Sequence, residues 1–338
     1  MSTQHTMHAL TVQSAGGDFL PTELPMPQPT EGQVLVRIIA SGVNPLDTKI
    51  RAGQAAHAKQ PLPAVLGIDL AGVVVSTGPG VTGFRPGDEV YGMAGGIGGL
   101  QGTLAEFAAV DARLIALKPQ NLTMREAAAL PLATITAWEG LVDRANVGTG
   151  QTVLVHGGAG GVGHIAVQLA RARGAQVFTT VSAGQFAIAE GYGATPIDYR
   201  ATPVQDYVDR HTGGRGFDVI FDTVGGVTLD ASFAAARRHG GHVVSILGWG
   251  THALAPLSFR AATYSGVFTL LPLLTGEGRE HHGHILREAA KLVEAGQLTP
   301  MVDNQRFDLS TALAAHQLVA AGQANGKVVV DVQAAPGA

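Results

Sequence analysis

A glycine-rich segment, Gly158-Ala-Gly160-Gly161-Val162-Gly163, restricts what this chain can fold into more than any other part of its sequence. Apolar residues predict a strand before it, over 152–156, and a helix after it, over 163–173. In such a unit the first glycine permits a tight turn, the second lets a pyrophosphate approach the backbone, and the third lets the helix pack on the strand. The helix N-terminus adds N–H groups and a positive dipole. We therefore predict that Gly158, Gly160, Gly161, Val162 and Gly163 bind a dinucleotide. A glycine turn without a ligand is the alternative.

Strands and helices alternate along the chain from residue 151 onward. Strands are predicted over 152–156, 176–181, 219–222, 242–247 and 266–270, and helices over 163–173, 185–191, 203–211 and 229–239. This alternation is typical of a Rossmann domain, a doubly wound parallel sheet with helices on both faces. Helices over 284–295 and 311–321 and a strand over 327–332 are predicted to follow.

The first 125 residues have a different pattern, with short strands between Gly and Pro turns. Strands are predicted over 34–39, 72–75, 89–91 and 104–110, after a loose polar tail over 1–6. Short strands at this spacing indicate a small β-barrel. A capping box at Thr123 and Glu126 predicts a helix over 124–130, and a second is predicted over 134–144. The fold class is therefore α/β, with a barrel and a Rossmann domain.

Composition excludes several classes of function. The net charge of −4 argues against a nucleic-acid surface, and the absence of cysteine excludes disulfides, thiol catalysis and cysteine-bound metal. His281, His282 and His284 resemble a metal cluster, but a solvated helix start is the preferred interpretation, so we expect no metal. We find no targeting segment and no apolar stretch of about 20 residues, and so expect a cytoplasmic protein that does not bind membranes.

The second predicted Rossmann strand bears on the choice of cofactor. An acidic residue about 20 positions after the glycine turn would bind the ribose 2′-OH of NAD, but this strand ends in Thr179-Thr180-Val-Ser182. Thr180 and Ser182 are able to hydrogen-bond a 2′-phosphate without repelling it. This favours NADPH, with NADH as the alternative, unless the hydroxyls are ordinary polar groups at a strand end.

Several motifs together resemble the zinc-independent medium-chain dehydrogenase/reductase family, which includes quinone oxidoreductases and enoyl reductases. They are GVNPLD at 42–47, GIDLAG at 67–72, FRPGDEV at 84–90, TAWE at 136–139, the glycine turn, IDYR at 197–200 and NGKV at 325–328. The resemblance covers essentially the full length. It implies a GroES-like catalytic domain over 1–126 and 274–338, a Rossmann domain over 127–273, and a homodimer paired through the strand predicted at 266–270.

The resemblance also implies roles for individual residues. It places Asn44 and Thr136 near the nicotinamide and Tyr199 against the adenosine end. Asn325 and Lys327 would approach the cofactor from the C-terminal segment, and the nicotinamide pocket would be lined by Leu247, Gly248, Phe268 and Leu270. Zinc-dependent relatives have a cysteine near position 44 and a histidine near position 68, where this chain has Asn44 and Ile68. Alcohol oxidation assisted by zinc is therefore not favoured.

Two departures from the family pattern concern the site. Relatives often have a lysine that binds the 2′-phosphate where this chain has Phe186, and Arg200 is a candidate to compensate. Some quinone reductases have tyrosines where this chain has Lys49 and Ala55. Lys49 is either a catalytic group that polarises a carbonyl oxygen or a solvated residue, and Asp47 orients either Lys49 or a backbone turn.

These observations predict hydride transfer from NADPH to a small conjugated acceptor, which is a quinone or an α,β-unsaturated carbonyl. The candidate catalytic residues are Asn44, Lys49 and Thr136. A reductase of a specialised activated alkene, such as a substituted acrylate, is one alternative. A non-catalytic dinucleotide-binding protein, either a redox sensor or a structural protein, is the other. The loop over 92–102 is predicted to be a substrate lid or a plain barrel loop.

Overall fold

The computed structural model describes residues 5–334, which form two compact units. The first unit comprises residues 5–132, 270–294 and 300–334, and the second comprises 133–269 and 295–299. The functional domain limits predicted at 126/127 and 273/274 stay a prediction. Of the polar tail predicted over 1–6, the first four residues lie outside the described part, and Thr6 already belongs to the first strand.

Strands dominate the start of the chain, and strands alternate with helices through its middle. The chain begins with β1 Thr6–Val12, β2 Leu20–Pro25, β3 Gln33–Val43, α1 Pro45–Arg51, β4 Ala64–Val65, β5 Asp69–Thr77, β6 Glu89–Met93, β7 Phe107–Asp111, β8 Ile115–Leu117 and α2 Met124–Ala128. It continues with α3 Pro131–Trp138, β9 Thr152–His156, α4 Gly163–Ala172, β10 Gln176–Val181, α5 Phe186–Gly191, β11 Thr195–Asp198, α6 Val204–Thr212, β12 Val219–Asp222, α7 Val227–Ala235, β13 His242–Ser245, α8 Ala255–Ser258 and β14 Thr263–Gly266. It ends with α9 Leu271–Thr275, α10 Arg279–Glu294, β15 Phe307–Asp308, α11 Ala312–Ala320 and β16 Val328–Asp331. A π-helix over Glu139–Arg144 continues α3, and short 3-10 helices cover Ala56–Ala58, Ala112–Leu114, Ala183–Gln185 and Leu309–Thr311.

The second unit contains a parallel six-stranded sheet in the order β11-β10-β9-β12-β13-β14. Counted within the unit, this is the Rossmann order 3-2-1-4-5-6, so the predicted fold class is confirmed. Large side chains from strands and helices form its core, among them Leu154, Phe178, Phe217, Ile220 and Phe233.

The sixth strand of this sheet was misplaced by the sequence prediction. The predicted strand covers 266–270, whereas β14 is Thr263–Gly266. The strand lies at the edge of the sheet, and its residues are mostly exposed, so they lack the apolar pattern of a central strand. The apolar residues that suggested a strand come after it, where Val267 and Leu270 are buried without belonging to the sheet.

The first unit contains two sheets, and its barrel architecture also agrees with the predicted fold class. A three-stranded sheet has the order β2-β1-β4, and a seven-stranded sheet has the path β15-β16-β3-β5-β6-β8, with β7 also paired to β3. Strand β16 runs antiparallel to β3 and places Val328 opposite Val43. This register brings the C-terminal segment beside the residues that precede α1.

The Gly-rich loop over 92–102 is firmly attached within the first unit. Ile97 is fully buried, Gly98 N donates to Ala58 O at 2.9 Å, and Gly99 N donates to Gln60 Oε1 at 2.9 Å. These bonds favour the plain barrel loop over the substrate lid, because a loop that opens as a lid is held by few contacts.

The predicted helix at 284–295 begins earlier, at Arg279. His281 and His284 are therefore one turn apart on its exposed side, with ring centroids 6.0 Å apart, while His282 is fully buried. The predicted solvated helix start therefore describes His281 and His284 but not His282. No helix within residues 5–334 is long and apolar enough to cross a membrane. The cytoplasmic location stays a prediction.

Gly163 illustrates how closely α4 packs on β9. A Cβ at this position would overlap the backbone of Gly157 and Gly158, which cannot move without opening the turn. We expect Gly163→Ala to lower the free energy of unfolding by about 1–3 kcal/mol, the usual cost of overpacking. Urea unfolding followed by circular dichroism measures this change.

Gly184→Ala is the matched control, because a Cβ at Gly184 meets no atom within 4 Å and the backbone there is not left-handed. Equal stability of the two variants would show that the α4–β9 contact tolerates a side chain.

Candidate functional site

The glycine turn in the second unit joins β9 to α4. Gly157 N donates to Thr180 O at 3.0 Å, which fixes the turn against β10. A Cβ on Gly158 would overlap the Thr179 side chain, and a Cβ on Gly163 would overlap the backbone of Gly157. Gly160 and Gly161, in contrast, are exposed. Two glycines are therefore required for packing, and two leave the backbone open at the start of α4, where an anion is favoured.

A buried polar network, which the sequence analysis missed, lies at the carboxyl ends of β9, β12 and β13. His156 Nδ1 and Thr180 Oγ1 are 2.9 Å apart. Burial lowers the pKa of His156 to about 4, so the ring is neutral near pH 7. Asp222 accepts from Ser245 Oγ at 2.7 Å and from Gly225 N at 3.0 Å, which fixes the loop after β12. Sequence offers no signal for this network, because its members are contributed by separate strands.

The residues predicted to bind the adenosine end follow β10 and β11. Register pairs Val181 with Asp198, so Ser182 and Tyr199 leave the same edge of the sheet. Tyr199 and Arg200 are exposed, and the guanidinium lies 5.5 Å from the Tyr199 ring centroid. Arg200 is thus an exposed cation beside an aromatic ring, suited to an anionic ligand group.

The two hydroxyls predicted to meet a 2′-phosphate are engaged within the protein. Thr180 is buried and bonded to His156, and Ser182 Oγ donates to Gln185 Oε1 at 3.0 Å. Phe186 packs against the buried Ala159 and Val181, which explains an apolar residue at this position. Among these candidates, Arg200 is the exposed cation that could contact a 2′-phosphate.

The predicted lining residues divide between the two units. In the second unit, Leu247 and Gly248 follow β13, Thr136 is buried on α3, and the Phe268 ring makes an edge contact with Trp249 at 6.4 Å. A Cβ on Gly248 would overlap the Tyr264 hydroxyl, so a side chain there would displace the Tyr264 ring. In the first unit, Leu270 is buried and Asn325 is exposed.

Asn44 lies at the centre of a buried polar cluster in the first unit, which we call the Asn44 cluster. It consists of Asn44, Asp47, Asp69 and Lys327. The side-chain amide of Asn44 donates from Nδ2 to Asp69 Oδ2 at 3.0 Å and accepts at Oδ1 from Lys327 Nζ. The backbone N of Asn44 donates to Asp47 Oδ2 at 2.8 Å, and Asp69 Oδ1 accepts from Leu132 N at 3.1 Å. These bonds fix the orientation of the amide, because its oxygen faces a cation and its nitrogen faces a carboxylate.

The charges of the Asn44 cluster do not balance if every group is ionised, because two carboxylates accompany one ammonium. Burial raises the pKa of Asp47 to about 7 and that of Asp69 to about 6. Burial also lowers the pKa of Lys327, and the charges of Asp69 and Asp47 oppose this shift. A cluster with ionised Asp69 and Lys327 and a protonated Asp47 is neutral, which is the favourable state for buried groups.

Lys49 and Lys327 occupy contrasting environments. Lys49 is exposed near the end of α1, whereas Lys327 is buried and bonded to Asn44. Asp47 accepts a hydrogen bond from the backbone of Asn44, so of its two predicted roles it orients a backbone turn. Position 68 holds a fully buried isoleucine. No group of three or more His, Cys, Asp or Glu side chains within residues 5–334 is arranged to hold a metal ion.

The raised pKa values of Asp47 and Asp69 predict how stability depends on pH. Both folded pKa values lie above the ordinary value of 3.8, so these two carboxyl groups bind more protons in the folded protein than in the unfolded chain between about pH 4 and about pH 7. The contribution of Asp47 and Asp69 to stability is fully present below about pH 4 and is lost as pH rises to about 7. Asp47→Asn, which keeps an oxygen for the Asn44 N–H, should reduce this decrease. Urea unfolding across the range measures it.

Asp18→Asn, at an exposed loop position, is the control and should keep the wild-type slope. If Asp47→Asn also keeps that slope, Asp47 does not retain a proton in the folded state.

Comparison with known proteins agrees with this architecture. Two families match the sequence: one described as "Alcohol dehydrogenase GroES-like domain" over residues 30–120, and one described as "Zinc-binding dehydrogenase" over 192–330. A solved structure of an alcohol dehydrogenase superfamily protein from Novosphingobium aromaticivorans is 57% identical, with a TM-score of 0.95 over 97% of this chain and 100% of that one.

Two curated relatives extend the comparison. The NADPH-dependent alkenal/one oxidoreductase, chloroplastic, of Arabidopsis thaliana is 35% identical over 92% of this chain and 75% of that protein. The quinone oxidoreductase of Homo sapiens is 30% identical over 97% of this chain and 98% of that protein. The chain therefore belongs to the medium-chain dehydrogenase/reductase family of oxidoreductases, together with the quinone and alkenal/one oxidoreductases.

Proposed function

We propose that this protein is an NADPH-dependent reductase that transfers a hydride to the conjugated double bond of an α,β-unsaturated carbonyl or to a quinone. The observation that carries the proposal is the exposed backbone of Gly160 and Gly161 at the start of α4, on the carboxyl edge of a parallel sheet. Ligands of doubly wound sheets bind at this edge. The relatives named for alkenals, enones and quinones support the choice of acceptor.

The residues of the second unit fit a dinucleotide. The turn from Gly158 to Gly163 would hold the pyrophosphate, with Tyr199 and Arg200 at the adenosine end. The remaining proposed contacts are Asn44, Thr136, Thr180, Ser182, Leu247, Gly248, Phe268, Leu270, Asn325 and Lys327. When bound, the reduced nicotinamide supplies the hydride.

The protein's own contribution is to orient the acceptor, exclude water and balance charge. We propose that the reaction uses no zinc, because Asn44 and Ile68 replace the zinc ligands of related dehydrogenases and the chain has no cysteine. A conjugated acceptor needs less polarisation than a simple ketone, so hydrogen bonds and nearby charge suffice. Dialysis against a chelator should therefore leave turnover unchanged.

We also propose a homodimer paired through the open edge of β14. An unpaired strand edge favours pairing with a second copy, and Phe259, which shortly precedes this strand, is 85% exposed. Sedimentation at micromolar concentration should give twice the chain mass, and a monomer would contradict the proposal.

Nicotinamide absorbance tests the proposed reaction directly. Purified protein is mixed with NADPH, and separately with NADH, in the presence of a panel of enones, substituted acrylates and quinones. We expect NADPH consumption with at least one enone or quinone. Tight NADPH binding without consumption across the panel would instead favour a dinucleotide-binding protein without catalysis. Turnover confined to acrylates would favour the specialised alkene reductase.

Arg200 tests the preference for NADPH. We expect Arg200→Ala to raise KM for NADPH about tenfold, since a charged hydrogen bond to phosphate contributes roughly 1.5 kcal/mol or more. KM for NADH, which lacks the 2′-phosphate, should change little. Arg210→Ala, at an exposed arginine on α6, is the control. Equal effects on both cofactors would remove Arg200 from 2′-phosphate recognition.

A further inference from the structure

The Asn44 cluster contains more charge than is needed to hold one amide in place. Asp47, Asp69 and Lys327 are all buried, and only 5% of the Lys327 surface is exposed. Burying such groups is costly, and replacing a buried ion pair by apolar residues is often neutral or stabilising. Stability alone therefore does not account for the cluster, and perturbed titratable groups of this kind mark functional sites.

We propose that the ammonium of Lys327 stabilises the negative charge that hydride transfer creates on the acceptor's carbonyl oxygen, and donates the proton that neutralises it. This inference rests on the proposed function, in which Asn44 contacts the reacting end of the cofactor. It assigns to Lys327 the role of the general acid.

The position of Lys327 suits this role because its backbone N and O are both hydrogen-bonded to the segment 301–303. Lys327 N donates to Met301 O at 2.7 Å, and Asp303 N donates to Lys327 O at 2.9 Å. An ammonium has three N–H groups, and the hydrogen bond that the structure gives this one goes to Asn44 Oδ1 rather than to a carboxylate. A buried cation also interacts more strongly with a new charge than one in water does. The exposed Lys49 lacks this advantage.

The two carboxylates have different tasks in this scheme. Asp69 is bonded to Asn44 Nδ2 and to Leu132 N, so it is the ionised partner that keeps Lys327 charged. Asp47 Oδ1 is buried and has no hydrogen-bond partner within residues 5–334, which is tolerated far better by a neutral carboxylic acid than by a carboxylate. Asp69 is thus a positioning residue, and Asp47 stores a proton that can return to Lys327.

Atoms and electrons balance over the reaction. The hydride and its electron pair add to the β-carbon of the enone, and the displaced π electrons reach the carbonyl oxygen as an enolate. The Lys327 N–H bond breaks as an O–H bond forms, which leaves an enol and a neutral amine. The amine regains one proton from Asp47, the resulting Asp47 carboxylate takes up a proton from solvent, and the enol tautomerises to the saturated ketone. The acceptor is reduced by two electrons and NADPH is oxidised to NADP⁺. A quinone gives its hydroquinone monoanion, which is protonated in the same way.

Binding of 4-nitrophenol tests the charge stabilisation without turnover. Its phenolate resembles an enolate or a hydroquinone monoanion, and its absorbance reports the ionised fraction. In protein saturated with NADP⁺ we expect bound 4-nitrophenol to be more ionised than the free compound at the same pH. Lys327→Met should abolish this difference. An unchanged ionised fraction in the variant, or no binding to the wild-type protein, would overturn the proposal.

The matched control is Lys118→Met in the same unit. The Lys118 side chain is 6% exposed, lies 3.1 Å from Glu89 and donates to Pro119 O at 3.0 Å, so it is a largely covered lysine outside the Asn44 cluster. It should leave the ionisation of 4-nitrophenol unchanged. The double variant Asp69→Asn/Lys327→Met removes both charges of the pair, and it provides a second measurement if the single variant does not fold.

Chemical rescue tests the proton transfer. We expect Lys327→Ala to lower kcat about 100- to 1,000-fold, the usual loss for one oxyanion donor. Added methylamine or ethylamine should restore part of kcat, with a rate that depends on the pKa of the amine. Full activity without an amine would overturn the proposal, as would a failure of every amine to rescue folded protein. Absence of turnover in the wild-type protein would instead contradict the proposed function itself.

Discussion

The balance of buried charge around Lys327 is the constraint on which the first unit depends. The ammonium of Lys327 must compensate the carboxylate of Asp69 while Asp47 keeps its proton, and all three side chains are buried. The three residues come from the start of α1, the start of β5 and the segment before β16. The antiparallel pairing of β16 with β3 is therefore an electrostatic requirement as well as a packing arrangement, because a carboxylate left without its cation would be buried at a cost of several kcal/mol.

The second unit relies on a different kind of polar group. Its buried network is built from neutral or fully hydrogen-bonded side chains, with His156 against Thr180 and Asp222 against Ser245. These bonds shape the loops at the carboxyl edge of the sheet and leave backbone groups of the glycine turn exposed. Such an edge binds phosphates through N–H groups and the helix dipole, without a large fixed charge. The two units thus stabilise their buried polar groups in different ways.

The sequence predicted the local features well and the long-range ones poorly. The glycine turn and the alternation of strands and helices depend on neighbouring residues, so the Rossmann sheet was foreseen. The sixth strand was displaced because an edge strand carries little apolar pattern, whereas the segment after it is apolar. Asn44 and Lys327 were identified through resemblance, but their contact was not, because it depends on two strands that are far apart in the chain.

Individual hydroxyls and charges were the least predictable. Nothing in the sequence shows that Thr180 is occupied by His156, or that Lys49 is exposed while Lys327 is buried. Periodicity indicates which face of a strand is buried, but it does not indicate which polar groups meet there.

In the proposed reaction, hydride reaches the β-carbon of a conjugated acceptor. The most direct measurement is to supply NADPH deuterated at C4 of the nicotinamide, together with an enone, and to locate the deuterium in the product by NMR. We expect a saturated ketone with deuterium on the β-carbon. An allylic alcohol with deuterium on the former carbonyl carbon would contradict the claim, because that product arises from direct reduction of the carbonyl group.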